Sequence, residues 1–150
     1  MFFEELIPYM EKTYRIRSDK ESRAIAGLSM GGYGSFLYSL HHPDMFCACA
    51  PLSAAVFDDT VMEARKARSH KDLFNRLFGP GDEHWKQNNV LKILSDWDQN
   101  DLPKIRYYID CGDDDGLLDG NMQVHQVMKQ KGIRHEFRVR DGGHSWTYWR

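Results

Sequence analysis

The sequence predicts a domain of the α/β class, a mostly parallel sheet flanked by helices, and three observations lead to it. Strand-like runs at residues 24–26, 46–52, 105–110 and 135–140 alternate with stretches of helical spacing. Strands separated in this way join a sheet in parallel, because each connection must cross back over it. At residues 23–34, Arg-Ala-Ile-Ala-Gly-Leu-Ser-Met-Gly-Gly-Tyr-Gly, an apolar run passes through a glycine-flanked serine into a helical pattern, the strand–turn–helix of a nucleophile elbow. The length of 150 residues suits one domain that removes about two-thirds of its unfolded surface from water.

Taken in order, Phe3, Leu6, Ile7, Met10 and Tyr14 recur at helical spacing opposite Glu4, Glu5, Glu11 and Lys12, which predicts an amphipathic helix over residues 2–14. Pro8 either kinks this helix or begins its stable part. Residues 17–22 are a charged connector. After the elbow an apolar helix runs on from Met30 and is stopped by Pro43, which disfavours helical backbone at the residue before it. Between Phe57 and Leu102 the periodicity weakens and charge rises. Residues 57–102 therefore read as a helical excursion or lid within the single domain, with short helices at 71–78 and 89–95. The basic run at 63–68 reads as a solvated helix face. Ile105, Tyr107, Tyr108 and Ile109 restore strand character. Met122, Val124, Val127 and Met128 form a helix that Gly132 ends, and alternation from His135 to Arg140 marks the last strand.

Composition narrows the function classes. With 20 basic against 22 acidic residues, net charge draws the chain neither to nucleic acid nor to a membrane surface. Cys47, Cys49 and Cys111 are an odd number without zinc-type spacing, and read as small buried strand residues. No run reaches transmembrane length, and residues 1–5 lack the basic and apolar regions of a signal peptide. The sequence thus leans to the cytoplasm over export, with compartment and oligomeric state open.

The chemistry centres on Ser29. An elbow serine needs near-absent side chains two residues to either side, a need that Gly27 and Gly31 meet, while Gly32 and Gly34 would let the helix approach its neighbours. The turn also puts the serine at a helix N-terminus, where free N–H groups can hold an oxyanion. A plain tight turn is the alternative. A serine hydroxyl needs a base, and the base an orienting carboxylate. Of seven histidines, His144 alone follows a strand, in a Gly-Gly loop that can reach over the sheet edge. The loop after the 105–110 strand offers Asp113, Asp114 and Asp115, of which one should point inward and the others to solvent. A calcium loop does not fit: with Gly116 at the glycine position, Cys111 and Met122 would fall on ligand positions. The chain order Ser29, Asp115, His144 is that of the α/β-hydrolases. Trp146, Tyr148 and Trp149 lie beside the base, either as an aromatic platform for an acyl group or sugar ring or as packing of a final helix.

With these residues in view, the chain resembles the esterase D-like family of the α/β-hydrolases, which includes feruloyl and acetyl-xylan esterases, tributyrin esterases and S-formylglutathione hydrolases. The likeness runs through Phe-Glu-Glu-Leu-Ile-Pro-Tyr at 3–9, Ala-Gly-Leu-Ser-Met-Gly-Gly-Tyr-Gly at 26–34, Cys-Gly-Asp-Asp-Asp at 111–115 and Gly-Gly-His-Ser-Trp at 142–146. It implies an α/β-hydrolase fold with Ser29 as nucleophile, His144 as base and Asp115 as acid, Asp114 being the runner-up. It also implies the Met30 backbone N–H as an oxyanion donor. Trp146 and Tyr33 are the candidate substrate contacts. The implied activity is hydrolysis of a small-molecule or carbohydrate ester through an acyl-enzyme, with no cofactor or metal; thioesterase or acyltransferase chemistry would use the same residues. The family carries several strands ahead of the elbow and a closing helix after the histidine, so a partial fold is expected. One oxyanion donor would then be missing, and a remnant acting only in binding is the rival reading.

Overall fold

The computed structural model describes residues 1–68, 83–98 and 104–150. A π-helical turn, Phe2–Leu6, leads into α1 (Ile7–Thr13) with Pro8 in its first turn, so the proline begins the regular helix rather than kinking it. A 3-10 turn at Lys20–Ser22 precedes β1 (Ala24–Leu28), α2 (Met30–His41) and β2 (Ala48–Leu52). Then come α3 (Asp59–Arg68), α4 (Glu83–Asn88), α5 (Val90–Asp96), β3 (Arg106–Gly112), α6 (Leu118–Lys131), β4 (His135–Arg140) and a short α7 (Trp146–Trp149).

The four strands form one sheet in the order β1-β2-β3-β4, every pair parallel, as the alternation predicts. The connecting helices meet side by side, α2 on α5 and α5 on α6. The core fills the layer between them and the sheet: Phe36 and Leu40 from α2, Val90 and Leu94 from α5, Val124 and Met128 from α6, against Cys49, Tyr107 and Ile109. Strand register explains this sidedness. Ile25, Cys49, Tyr107 and His135 align in one row, and Phe137 pairs with Ile109 in the next inward row. The alternate row puts Arg106, Tyr108, Glu136 and Arg138 on the opposite, exposed face.

Local chemistry sets the boundaries. Asn89 caps α5, its side-chain oxygen accepting from the N–H groups of Leu91 and Lys92, so the helix expected at 89–95 starts one residue later. Gly132 ends α6 with φ of 73°, a left-handed C-cap that glycine adopts without strain. Among the cysteines, Cys49 and Cys111 are buried in β2 and β3, and Cys47 is half-buried just ahead of β2.

Two expectations need correction. The stripe predicted for residues 2–14 is not a buried face: Leu6, Met10 and Tyr14 are exposed, and the anchoring contacts come from the preceding turn. There Phe2 stacks on Tyr38, and Phe3 packs against Tyr38, His42 and Phe46. Aromatic area, together with the half-buried ion pair from Glu11 on α1 to Arg23, holds this segment. The basic run on α3 is largely exposed, as expected of a solvated face, with the Arg65 guanidinium lying 4.0 Å above the Phe57 ring. Finally, Gly31 and Gly34 are not required by space, because a Cβ on either would meet nothing within 4 Å. The close approach is at Gly27, whose Cβ would fall 2.2 Å from the Gly31 carbonyl oxygen, and at Gly32, pressed against Ala54. The helix expected at 71–78 lies outside the described residues. Among the described residues no helix is long and apolar enough to cross a membrane.

Candidate active site

Ser29, Asp115 and His144 lie just beyond the carboxyl ends of β1, β3 and β4, where an open parallel sheet presents its loops. Ser29 follows β1 with φ of 58° and ψ of −117°, a conformation that L-residues rarely hold without support. The support is visible. The Ser29 N–H donates to the Leu52 carbonyl at 2.9 Å, and its own carbonyl accepts from Tyr33 at 3.1 Å and Ala55 at 3.0 Å. Met30 opens α2, so its N–H belongs to the first turn, which has no intrahelical acceptor.

Beyond β3 the chain turns so that Asp113 and Asp114 are exposed while Asp115 is buried at 4% exposure. Of the three carboxylates, it is Asp115 that is brought to the histidine. One of its oxygens accepts from the Leu117 N–H at 2.9 Å, and the other lies 2.8 Å from His144 Nδ1. Burial alone would raise the Asp115 pKa, but hydrogen bonds from the Leu117 N–H, His144 and Ser53 outweigh it and hold the carboxyl below its ordinary value. An ionised carboxylate can only accept, so Nδ1 carries the proton in the neutral ring and Nε2 is left with its lone pair. That lone pair faces Ser29: Nε2 lies 3.0 Å from Oγ. Asp114, the sequence runner-up, points away to solvent. Its backbone N–H donates to the Gly142 carbonyl, and the Asp113 carboxylate accepts from the Gly142 N–H. These bonds tie the aspartate loop to the histidine loop. So does Gly112, where a Cβ would fall 1.9 Å from the Gly142 carbonyl oxygen. The carboxylates of Asp113, Asp114 and Asp141 cluster on the surface within 4.8 Å of one another.

The two candidate substrate contacts part company. Tyr33 turns away, its hydroxyl donating to the Asn88 carbonyl at 2.8 Å, and burial pushes it up to about 12; it joins α2 to α4. Trp146 is 65% exposed and packs edge-to-face on Trp149, which stands edge-to-face against the His144 ring at 4.7 Å.

Several residues that hold the site carry no motif. Asp110, on β3, is buried and accepts from Tyr148 at 2.5 Å, from Arg140 and from Tyr108. Burial opposes its ionisation, and these donors outweigh burial, so its pKa is lowered. Asn121 bonds both the N–H and the carbonyl of Ala54, fixing the loop after β2 to α6. Strand-end position was the available signal for Asp110; Asn121, in mid-helix, gave none. Burial pushes the Cys111 thiol up to about 12, so it stays protonated beside the array and is no competing nucleophile.

The chain matches the family described as "Putative esterase" over residues 2–150. It belongs to that family. An acetyl esterase of Caldicellulosiruptor saccharolyticus is 29% identical over 154 residues, spanning 97% of this chain and 56% of the relative. A solved ferulic acid esterase superimposes with a TM-score of 0.78 at 40% identity, over 99% of this chain and 54% of that one. FphF, a fluorophosphonate-binding serine hydrolase of Staphylococcus aureus, superimposes with a TM-score of 0.83 at 23% identity, over 99% and 57%. The fold is that of the α/β-hydrolases. The chain spans a little over half the length of these relatives.

Proposed function

We propose that the chain is a serine ester hydrolase in which Ser29, His144 and Asp115 work as a triad. The observation that carries this is the continuous relay from Ser29 Oγ through the imidazole to a buried carboxylate, at 3.0 and 2.8 Å. In the reaction His144 Nε2 takes the Ser29 proton as Oγ attacks the ester carbonyl. The imidazolium that forms is stabilised by Asp115 and returns the proton to the leaving alcohol. Water, deprotonated by the same nitrogen, then attacks the acyl carbonyl, and the imidazolium returns the proton to Ser29 Oγ as the acyl–oxygen bond breaks and the acid leaves. The Met30 N–H, at the positive end of α2, supports the oxyanion in both steps.

Acyl esters of carbohydrates are the proposed substrate class. The names of the relatives, acetyl esterase and ferulic acid esterase, support it, as does the exposed Trp146 face beside the base, to which an aromatic acyl group or a sugar ring can stack. A fluorophosphonate probe should label Ser29. Ser29→Ala should abolish p-nitrophenyl acetate hydrolysis with little change in melting temperature, because alanine removes only an oxygen at a half-buried site. Turnover that survives in this variant would overturn the assignment.

A further inference from the structure

Asn121 is fully buried on α6, and both amide protons and the amide oxygen of its side chain are engaged by backbone. Nδ2 donates to the Leu117 carbonyl at 2.8 Å and to the Ala54 carbonyl at 2.9 Å, while Oδ1 accepts from the Ala54 N–H at 3.3 Å. These partners fix the orientation of the amide, because a carbonyl can only accept and an N–H can only donate. Among side chains of this size only an amide offers two donors beside an acceptor. The Ala54 carbonyl has a further donor in the Val56 N–H at 2.7 Å. Among the described residues the Ala54 N–H has no acceptor besides Asn121.

Both backbone segments held in this way lead to the site. Ala54 lies between Leu52, whose carbonyl accepts from the Ser29 N–H at 2.9 Å, and Ala55, whose N–H donates to the Ser29 carbonyl at 3.0 Å. On the other side, Leu117 donates its N–H to the Asp115 carboxylate at 2.9 Å. One side chain thus joins the support of the serine to the support of the acid. Glycines bring the parts close enough: a Cβ on Gly120 would fall 2.0 Å from the Val56 carbonyl oxygen, and one on Gly32 2.9 Å from the Ala54 Cα. The loop after β2 is therefore pressed between α6 and α2.

We propose that Asn121 is a positioning residue, its amide setting the spacing between the loop that holds the Ser29 backbone and the turn that holds the Asp115 carboxylate. That spacing is the span the His144 imidazole must bridge. The kinetic consequence rests on the esterase reading; the hydrogen-bonded bridge does not. Without the bridge Ser29 and Asp115 shift independently, and one imidazole no longer keeps both within hydrogen-bond distance at once.

The test is Asn121→Ser. A serine hydroxyl in mid-helix bonds the carbonyl four residues back, here that of Leu117, so the variant keeps a bond inside α6 and loses the bridge to Ala54. At a temperature where circular dichroism shows the variant folded, kcat for p-nitrophenyl acetate should fall roughly 10- to 100-fold, as small misplacements of reacting groups cost, with KM nearly unchanged. Wild-type kcat in the folded variant, or a loss carried wholly by KM, overturns the proposal. A second measurement needs neither a variant nor a substrate. By NMR hydrogen exchange on the wild type, the Asn121 Nδ2 protons and the N–H groups of Ala54 and Ala55 should exchange through one common opening. Exchange of the Nδ2 protons independent of Ala54 and Ala55 overturns the proposal, and this decides should Asn121→Ser not fold. A wild type without turnover but with the common opening counts against the esterase reading alone.

Discussion

Ser29 sits at φ of 58°, and three backbone hydrogen bonds hold it there, so its strain is balanced by bonds from the loop after β2 and from the first turn of α2. Asp115 is the residue on which the chemistry is most sharply testable. Asp115→Asn should lower kcat by roughly 10⁴-fold, because an amide lets the imidazole take the wrong tautomer. Asp114→Asn, at an exposed position pointing away, should leave it close to wild type; p-nitrophenyl acetate assays on the two variants check this. The lowered pKa of Asp115 keeps its carboxylate ionised, and so able to hold the Nδ1 proton of His144, to below the ordinary carboxylate range. Legibility at this scale follows from backbone constraint. Ser29 and His144 could be read because an elbow and a strand-following Gly-Gly-His leave a mark in the sequence. The choice among three consecutive aspartates could not be made from spacing, since it depends on the turn closed by Asp115 N–H to Gly112 carbonyl. Ser53 was invisible, because a lone serine after a strand has no pattern.

At the scale of elements, the segment carrying His144 is fastened to the sheet from behind. Beyond β4 the chain returns over the outer face, where Tyr148 is buried under the Arg140 guanidinium, 4.6 Å from its ring, and bonds Asp110. Tyr148→Phe leaves that buried carboxylate one donor short and should cost about 1–3 kcal/mol, measured by urea unfolding. The folded pKa of Asp110 is lowered. Its contribution is thus complete above the unfolded carboxylate value of about 3.9 and is lost as pH falls through the folded value. The Tyr148→Phe deficit should accordingly be largest near neutral pH and shrink in acid. Strands and α6 were readable here because period and cap agree. The stripe on α1 misled, since periodicity reports a helix but not the partner that would cover it, and the aromatic pair at Phe2 and Phe3 does the anchoring instead.

At the scale of the whole molecule, sequential parallel strands and side-by-side helices confine the dry interior to one layer. Phe36 is central to it, fully buried on the helix that starts at the elbow and stacked 6.2 Å from Tyr107. Phe36→Ala should destabilise by about 3–5 kcal/mol, seen as a lower urea midpoint. It should also reduce activity at temperatures where the wild type is fully folded, because α2 carries the Met30 N–H. Alternation of strand and helix made this architecture legible. Which sheet face stays open was not, since it follows from register between strands far apart in the chain.

The fastening of the His144 segment has a consequence for how the site comes into being. Ser29 and His144 are 115 residues apart, and the proposed base rides on a short arm whose side-chain ties include Tyr148 to Asp110, Trp149 to Ser53, Gly142 to Asp113 and the imidazole itself. Such an arm can detach while the sheet and its helices remain intact. A molecule in that state is folded but lacks its base, and the rate of a population is the rate of the docked molecules multiplied by their fraction. Heat or acid that loosens these ties would thus switch the population off by occupancy, before any strand has separated.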